Sequence, residues 1–321
     1  MNRRGILKGA AAGLGAVASS RLLAQSEELL TIIGPFGPGG SNDIVARLFG
    51  RKIAPLIKRT VIADNRPGAG GLVAARTVLR ANPQSSLLVA SNTFLIAAHA
   101  YAKPGYDPLR DFTPVTPMYT TSAAWVARPD HPLKSLNDVV RFAKANPGKL
   151  SYATNGIGTY SHLQVEMFGK RNGISMTHVP FRSLPEGSTA VIGGVVDIAV
   201  DTPFAIAPRV KSGHLHAIAV FGERREEALP HTPTAQEEGF GEPNPLLVFA
   251  GLLAPANAGA DHLQMLQSAG EKVIRDPEYL AQLKNLGVSP FDTSVQGFSD
   301  ILKSQNARYS EIISSLGISL T

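Results

Sequence analysis

Along most of the chain, short apolar runs rich in β-branched residues alternate with stretches whose apolar residues recur three or four positions apart. The first cycle predicts a strand at Leu29 to Phe36, a helix at Ile44 to Leu56, a strand at Thr60 to Ala63, a helix at Leu72 to Leu79 and a strand at Leu87 to Ala90. In the first helix Ile44, Val45, Leu48, Phe49 and Ile53 keep helical spacing, and Ser41 stands where it can cap the N-terminus. Alternation of this kind predicts an α/β fold with a largely parallel sheet.

The rhythm restarts near Ala123. A strand at Ala123 to Ala127 precedes a helix opened by Ser135-Leu136-Asn137-Asp138, a start resembling a capping box. Further strand and helix pairs follow up to a strand at Leu215 to Val220. A strand at Leu247 to Leu253 and three helices, Asp261 to Arg275, Glu278 to Leu286 and Ser294 to Leu316, are expected to return to the first unit. The expected division is an export signal at 1–24, one lobe from 25–122 plus 245–321, a second lobe from 123–244, and a cleft between the lobes.

The N-terminus changes how the charge is read. Arg3, Arg4 and Lys8 precede an apolar run from Gly9 to Ala18 that is far shorter than the roughly 20 residues needed to cross a bilayer as a helix. This order is that of a twin-arginine export signal, with cleavage expected after Ala24. Removing those 24 residues from 321 leaves 297, a length suited to two domains. The formal charge falls from +6 to +2, because Arg3, Arg4, Lys8 and Arg21 leave with no acid. No clustered basic stripe remains, so a nucleic-acid partner is not expected. The absence of cysteine excludes disulfides, thiolate chemistry and cysteine-based metal sites.

Candidate chemistry lies in two glycine loops. The first predicted strand runs into Pro35-Phe36-Gly37-Pro38-Gly39-Gly40-Ser41-Asn42-Asp43, just before a helix. The first turn of a helix leaves N–H donors unpaired and carries partial positive charge, and glycine lets adjacent N–H groups curl around an anion. Thr154-Asn155-Gly156-Ile157-Gly158-Thr159-Tyr160-Ser161 repeats the device in the second lobe, so that two such loops can face one carboxylate. Gly156 and Gly158 do not complete a dinucleotide fingerprint, since Ser161 holds the third glycine position, and neither loop ends in the G-K-[ST] of a phosphate-binding loop. Adjacent Ser161 and His162 point about 100° apart on a helix and do not make a nucleophile and base. No catalytic residue, metal site or cofactor is expected.

Taken in order, the segments P-F-G-P-G-G-S-N-D-I-V-A-R (Pro35 to Arg47), D-N-R-P-G-A-G-G (Asp64 to Gly71), Y-D-P-L-R-D-F-T-P-V (Tyr106 to Val115), G-I-G-T-Y-S-H-L (Gly156 to Leu163), V-P-F-R (Val179 to Arg182) and G-G-V-V-D-I-A-V-D (Gly193 to Asp201) resemble the Bug-type substrate-binding receptors of tripartite tricarboxylate transporters. The resemblance implies a type II periplasmic binding protein: two α/β lobes with a ligand cleft between them. It implies a periplasmic receptor that delivers a small carboxylate (a di- or tricarboxylate, an aromatic carboxylate or an amino acid) to membrane permease subunits, with a monomer as the default expectation. The alternative is a ligand-dependent sensor acting on a membrane signalling partner. By position, Phe36, Gly39, Ser41 and Asn92 would serve from the first lobe, and Thr154, Gly158, Thr159 and Ser161 from the second. Asp201 either selects the ligand or caps the helix expected near Phe204, and Phe94, Phe181 and Phe204 either wall the pocket or pack in the core. The chain departs from the family pattern at Arg182 to Glu186 and at Asn82 to Ser86, which makes ligand identity less transferable than fold.

Overall fold

A computed structural model describes residues 29–241, 248–291 and 293–321. The expected export signal at 1–24 lies outside the described residues, as does the expected lobe boundary at 244–245. Among the described residues no helix is long and apolar enough to cross a membrane.

The α/β expectation is met by two separate sheets. In the first, β1 (Leu30–Gly34), β2 (Val61–Asn65) and β3 (Ser86–Ser91) pair in parallel, linked by α1 (Ser41–Ile57) and α2 (Leu72–Arg80). Following α3 (Asn92–Ala100) comes β4 (Phe112–Thr121). The second sheet holds β5 (Ala123–Ala127), β6 (Ser151–Thr154), β7 (Thr177–Pro180), β8 (Ile198–Asp201) and β9 (His216–Phe221). Between these strands run α4 (Leu136–Ala145), α5 (Tyr160–Asn172), α6 (Leu184–Ile192) and α7 (Pro203–Lys211). The chain then returns to the first sheet through β10 (Val248–Pro255), α8 (Ala260–Ile274), α9 (Pro277–Asn285), β11 (Ser289–Pro290) and α10 (Val295–Leu316).

Neither sheet is largely parallel. The first has the order β11-β4-β10-β3-β1-β2 and the second β7-β6-β8-β5-β9. Strand β10 runs antiparallel to both β3 and β4, and β5 runs antiparallel to both β8 and β9. The physical reason is the double crossing: the strand that enters each lobe from the other, β5 in the second and β10 in the first, arrives without a covering helix and runs against its neighbours.

Side chains alternate across each sheet as strand geometry requires. In the first lobe Leu30 and Ile32 pack beneath α1, α8 and α9, while Ile33 and Leu88 pack against α2, α3 and α10. In the second, Trp125 and Ile198 face α4 and α5, while Ala124, Val126 and Ala199 face α6 and α7. Trp125 lies between Phe168 and Phe221, each ring 4.9 Å away, and its indole N–H donates to Gln164 Oε1 at 3.1 Å. Gln164 Nε2 in turn donates to Tyr160 Oη at 3.2 Å.

The lobes are drawn together. Gly37 N–H donates to Arg182 O at 3.3 Å, Tyr160 N–H to Thr93 Oγ1 at 3.2 Å, and Lys170 Nζ to Ser315 O at 2.7 Å.

Candidate ligand site between the lobes

Five strand-to-helix junctions meet where the lobes face each other: β1 to α1, β3 to α3, β6 to α5, β7 to α6 and β8 to α7. The carboxyl ends of strands in open α/β sheets are where ligands sit, because the loops there deliver helix N-termini. Between them is a cavity of about 90 Å³ lined by residues of all five junctions and of the β4–β5 crossing. It has room for several water-sized groups, at about 10–15 Å³ each. A more open recess of about 380 Å³ shares Phe36 and Asn155 with it and reaches the turn at Gly68 to Gly71.

Three of the five helices, α1, α3 and α7, have no side-chain hydrogen bond at their caps, Gly40, Ser91 and Thr202. Their first turns present main-chain donors and partial positive charge to the cavity. Among the described residues lining it there is no lysine, arginine or histidine, and the acids are Asp43 and Asp201. The hydroxyls of Ser91 and Ser122 are buried beside this cavity without a hydrogen-bond partner among the described residues. An unmet buried polar group costs about 1–3 kcal/mol.

Of the residues singled out in the sequence, Phe36, Ser41, Asn92, Ser161 and Asp201 line the cavity. Ser41 Oγ donates across the lobes to Thr202 Oγ1 at 3.3 Å. The Asn92 amide is engaged: Nδ2 donates to Tyr309 Oη at 2.8 Å, and Oδ1 accepts from Phe249 N–H at 3.0 Å. Ser161 Oγ donates to Asn155 Oδ1 at 2.7 Å.

Gly39, Thr154, Gly158 and Thr159 lie outside the lining. Gly39, at φ +86°, borders a separate surface groove and donates its N–H to Asp43 Oδ2 at 3.0 Å. Thr154 Oγ1 lies 2.6 Å from His178 Nε2, behind the second loop. Gly158, at φ +71°, donates to His162 Nδ1 at 3.3 Å and packs so closely that a Cβ there would stand 2.7 Å from Leu320 Cδ1. Thr159 caps α5, and its Oγ1 donates to Gly156 O at 2.7 Å. Phe94 stacks on Tyr106 in the core at 5.0 Å, Phe181 lines the open recess, and Phe204 borders the surface groove.

The family model for the tripartite tricarboxylate transporter family receptor matches residues 45–318. The chain belongs to that family. Among its relatives, a UPF0065 protein of Bordetella pertussis is 33% identical over 291 residues, 90% of each chain. Among solved receptors, the periplasmic binding protein BugD is 26% identical with a TM-score of 0.85, covering 92% of this chain and 99% of BugD. MatC from Rhodopseudomonas palustris, solved with bound malate, is 25% identical with a TM-score of 0.82, covering 89% of this chain and 98% of MatC. Two-lobed receptors of this family are binding proteins, and the fold here is theirs.

Within that receptor fold Asp201 is the more deeply buried of the cavity's two acids, 2% exposed against 8% for Asp43. Thr202, and not Asp201, occupies the cap of α7, which begins at Pro203. Asp201 Oδ2 accepts from Ser188 Oγ at 2.6 Å, and Oδ1 accepts from Thr202 N–H at 2.7 Å. Burial pushes its carboxyl up to about 6, a rise only partly offset by those hydrogen bonds and by Arg209.

Tyr119, Ser91, Thr93, Ser122, Ser183 and Thr202 line the cavity without having been marked by the sequence. Tyr119 Oη donates to Asn42 Oδ1 at 2.8 Å, tying β4 to the first turn of α1. The signal available for Ser91 and Thr202 was their place at the carboxyl ends of β3 and β8. Nothing local distinguishes Ser122, which the β4–β5 crossing alone brings there.

Proposed function

We infer that this chain, exported through its twin-arginine-like N-terminus, is a periplasmic receptor that captures a small carboxylate between its lobes and delivers it, unchanged, to a membrane permease. The observation carrying this reading is the convergence of three uncapped helix N-termini, and of the Ser91 and Ser122 hydroxyls that have no partner among the described residues, on a cavity with no cationic side chain among its described lining. Hydrogen bonds to a charged group contribute about 1.5–3 kcal/mol each, and micromolar affinity requires about 8 kcal/mol. Several main-chain and hydroxyl donors supply that without a buried arginine. Malate in MatC supports the ligand class, and family membership supports the permease partner.

A thermal-shift panel of carboxylates, amino acids and neutral solutes tests the reading, since a ligand at 100 times its dissociation constant stabilises by about 2.7 kcal/mol. Shifts with neutral solutes and none with acids would overturn it. Ser91→Ala combined with Ser122→Ala tests the carrying observation. Removing two unmet hydroxyls is expected to stabilise the ligand-free protein by up to about 1 kcal/mol while weakening the responding acid roughly tenfold, about 1.4 kcal/mol. Loss of stability with unchanged affinity would mark both hydroxyls as structural.

A further inference from the structure

The cavity's charge balance limits what it can hold. The three uncapped helix N-termini, those of α1, α3 and α7, carry about half a positive charge each, roughly one and a half together. Asp43 is neutralised locally by Arg47, whose Nε lies 2.8 Å from Oδ1. Asp201 has no such partner at salt-bridge distance among the described residues, where its oxygens meet the Ser188 hydroxyl and the N–H and hydroxyl of Thr202. When ionised it cancels about one of those charges and leaves about half of one, which opposes a doubly charged acid far more than a singly charged one.

We propose that Asp201 sets the charge of the ligand: a diacid is bound together with about one proton taken from solvent onto the Asp201 carboxyl, whereas a monoacid is bound with none. The protonated carboxyl removes a like charge from beside the cavity while its oxygens stay with Ser188 and Thr202. This rests on the carboxylate reading above and goes beyond it, because it names the residue that discriminates by charge.

The surrounding titratable groups leave Asp201 as the source of the effect. Strand β5, which pairs with Asp201 at Ala124, carries none in Ala123–Ala127. Helix α6 brings Glu186, which accepts from Arg182 N–H at 3.1 Å. Helix α7 brings Arg209, which favours ionisation of Asp201 but is outweighed by burial, and Lys211 at its far end. Across the cavity stand Asp43 with Arg47 on α1 and the phenols of Tyr119 and Tyr160. His162 and His178 behind the second loop are both held below the ordinary imidazole range by burial, so they stay neutral above pH 6.5.

Calorimetric titration of the mature chain from pH 6.5 to 8.5, in two buffers of unequal ionisation enthalpy, tests this with malate, succinate and adipate against lactate, butyrate and hexanoate. Diacids are expected to bind with uptake of about one proton and to lose affinity about tenfold per pH unit, with monoacids flat across the range. Asp201→Asn is expected to flatten the diacid profile, with affinity at pH 8.5 within about threefold of the wild type at pH 6.5. Should that variant fail to fold, the wild type still decides against the proposal if a diacid binds without proton uptake. A diacid bound without proton uptake, a slope that survives Asp201→Asn, or binding of monoacids only would overturn the proposal while leaving the carboxylate reading intact. If none of the six acids binds at any pH, the carboxylate reading has failed and this proposal falls with it.

Discussion

The two glycine loops share a sequence grammar and do different work. In the first, Gly40 caps α1 with no side chain to spend, so the donors of that turn face the cavity, and the loop is held from outside. The Asp43 carboxylate accepts from Gly39 N–H, from Arg47 and, at 3.0 Å, from Asn65 Nδ2 of the D-N-R-P-G-A-G-G segment. In the second loop the donors are consumed at home: Gly156 N–H goes to Thr154 Oγ1, Gly158 N–H to His162 Nδ1, and His162 N–H to Thr159 Oγ1. Behind it His162, His178 and Tyr152 form a stack with ring centroids 4.2 and 4.9 Å apart. One loop offers hydrogen bonds, and the other is a finished wall that presents Ser161 and Asn155 at its rim. A glycine-rich turn thus binds or braces according to where its own donors go.

The sharpest way to break this contrast is Asp43→Ala. It strips the brace from the offering loop and leaves Gly39 N–H, Arg47 and Asn65 without their shared acceptor, so stability should fall by about 2–4 kcal/mol and acid affinity by at least about a hundredfold. Chemical unfolding and calorimetry measure the two; an affinity within threefold of the wild type would show that the loop needs no brace.

Thr159→Ala should act on the wall alone. Loss of the α5 cap costs about 1 kcal/mol, and acid affinity should stay within about threefold because Thr159 lies outside the cavity lining.

The smallest effect is the pH dependence of the histidine stack. Burial, reinforced by His162, lowers His178 to about 4 from 6.5. A lowered folded-state value means that the unfolded chain binds more protons, so this contribution is complete above pH 6.5 and is lost as pH falls toward 4. Asp201, raised to about 6 from 3.8, works in the opposite sense, stabilising at low pH and losing that contribution as pH rises through 6. The comparison must therefore be made between variants: His178→Gln should flatten the loss of stability between pH 7 and 5 in urea unfolding, and an unchanged slope would remove the stack from the account.

Much of the architecture was legible in the chain. Ser135 caps α4 by accepting from Asp138 N–H at 3.2 Å, as its capping-box spacing suggests, and helix positions such as Val45, Leu48 and Phe49 are buried. Strand β4 was hidden because Pro114 and Pro117 interrupt it; register shifts opposite β10 at these positions accommodate the missing donors. Helix α3 was hidden because Asn92 to Ala97 is buried on every side and carries no periodicity to read. The site was legible where a loop signals itself, as at Phe36, Ser41 and Ser161. The asymmetry of the loops was not, because it depends on His178 and Asn65, which belong to other strands or their edges. Charge and burial at Asp201 likewise arise only when β8, α6 and α7 close around it.

Trp125 is the single tryptophan of the chain, and it is wired to the mouth of the cleft through Gln164 and Tyr160, whose N–H reaches Thr93 in the opposite lobe. The molecule thereby carries its own optical gauge. Separation of the lobes would break the hydrogen bond from Tyr160 N–H to Thr93, two hydrogen bonds away from an indole shielded from water. A change in the intrinsic emission of the unlabelled protein on ligand binding is the expected readout of opening and closing, free of any fluorophore that would itself crowd the cleft.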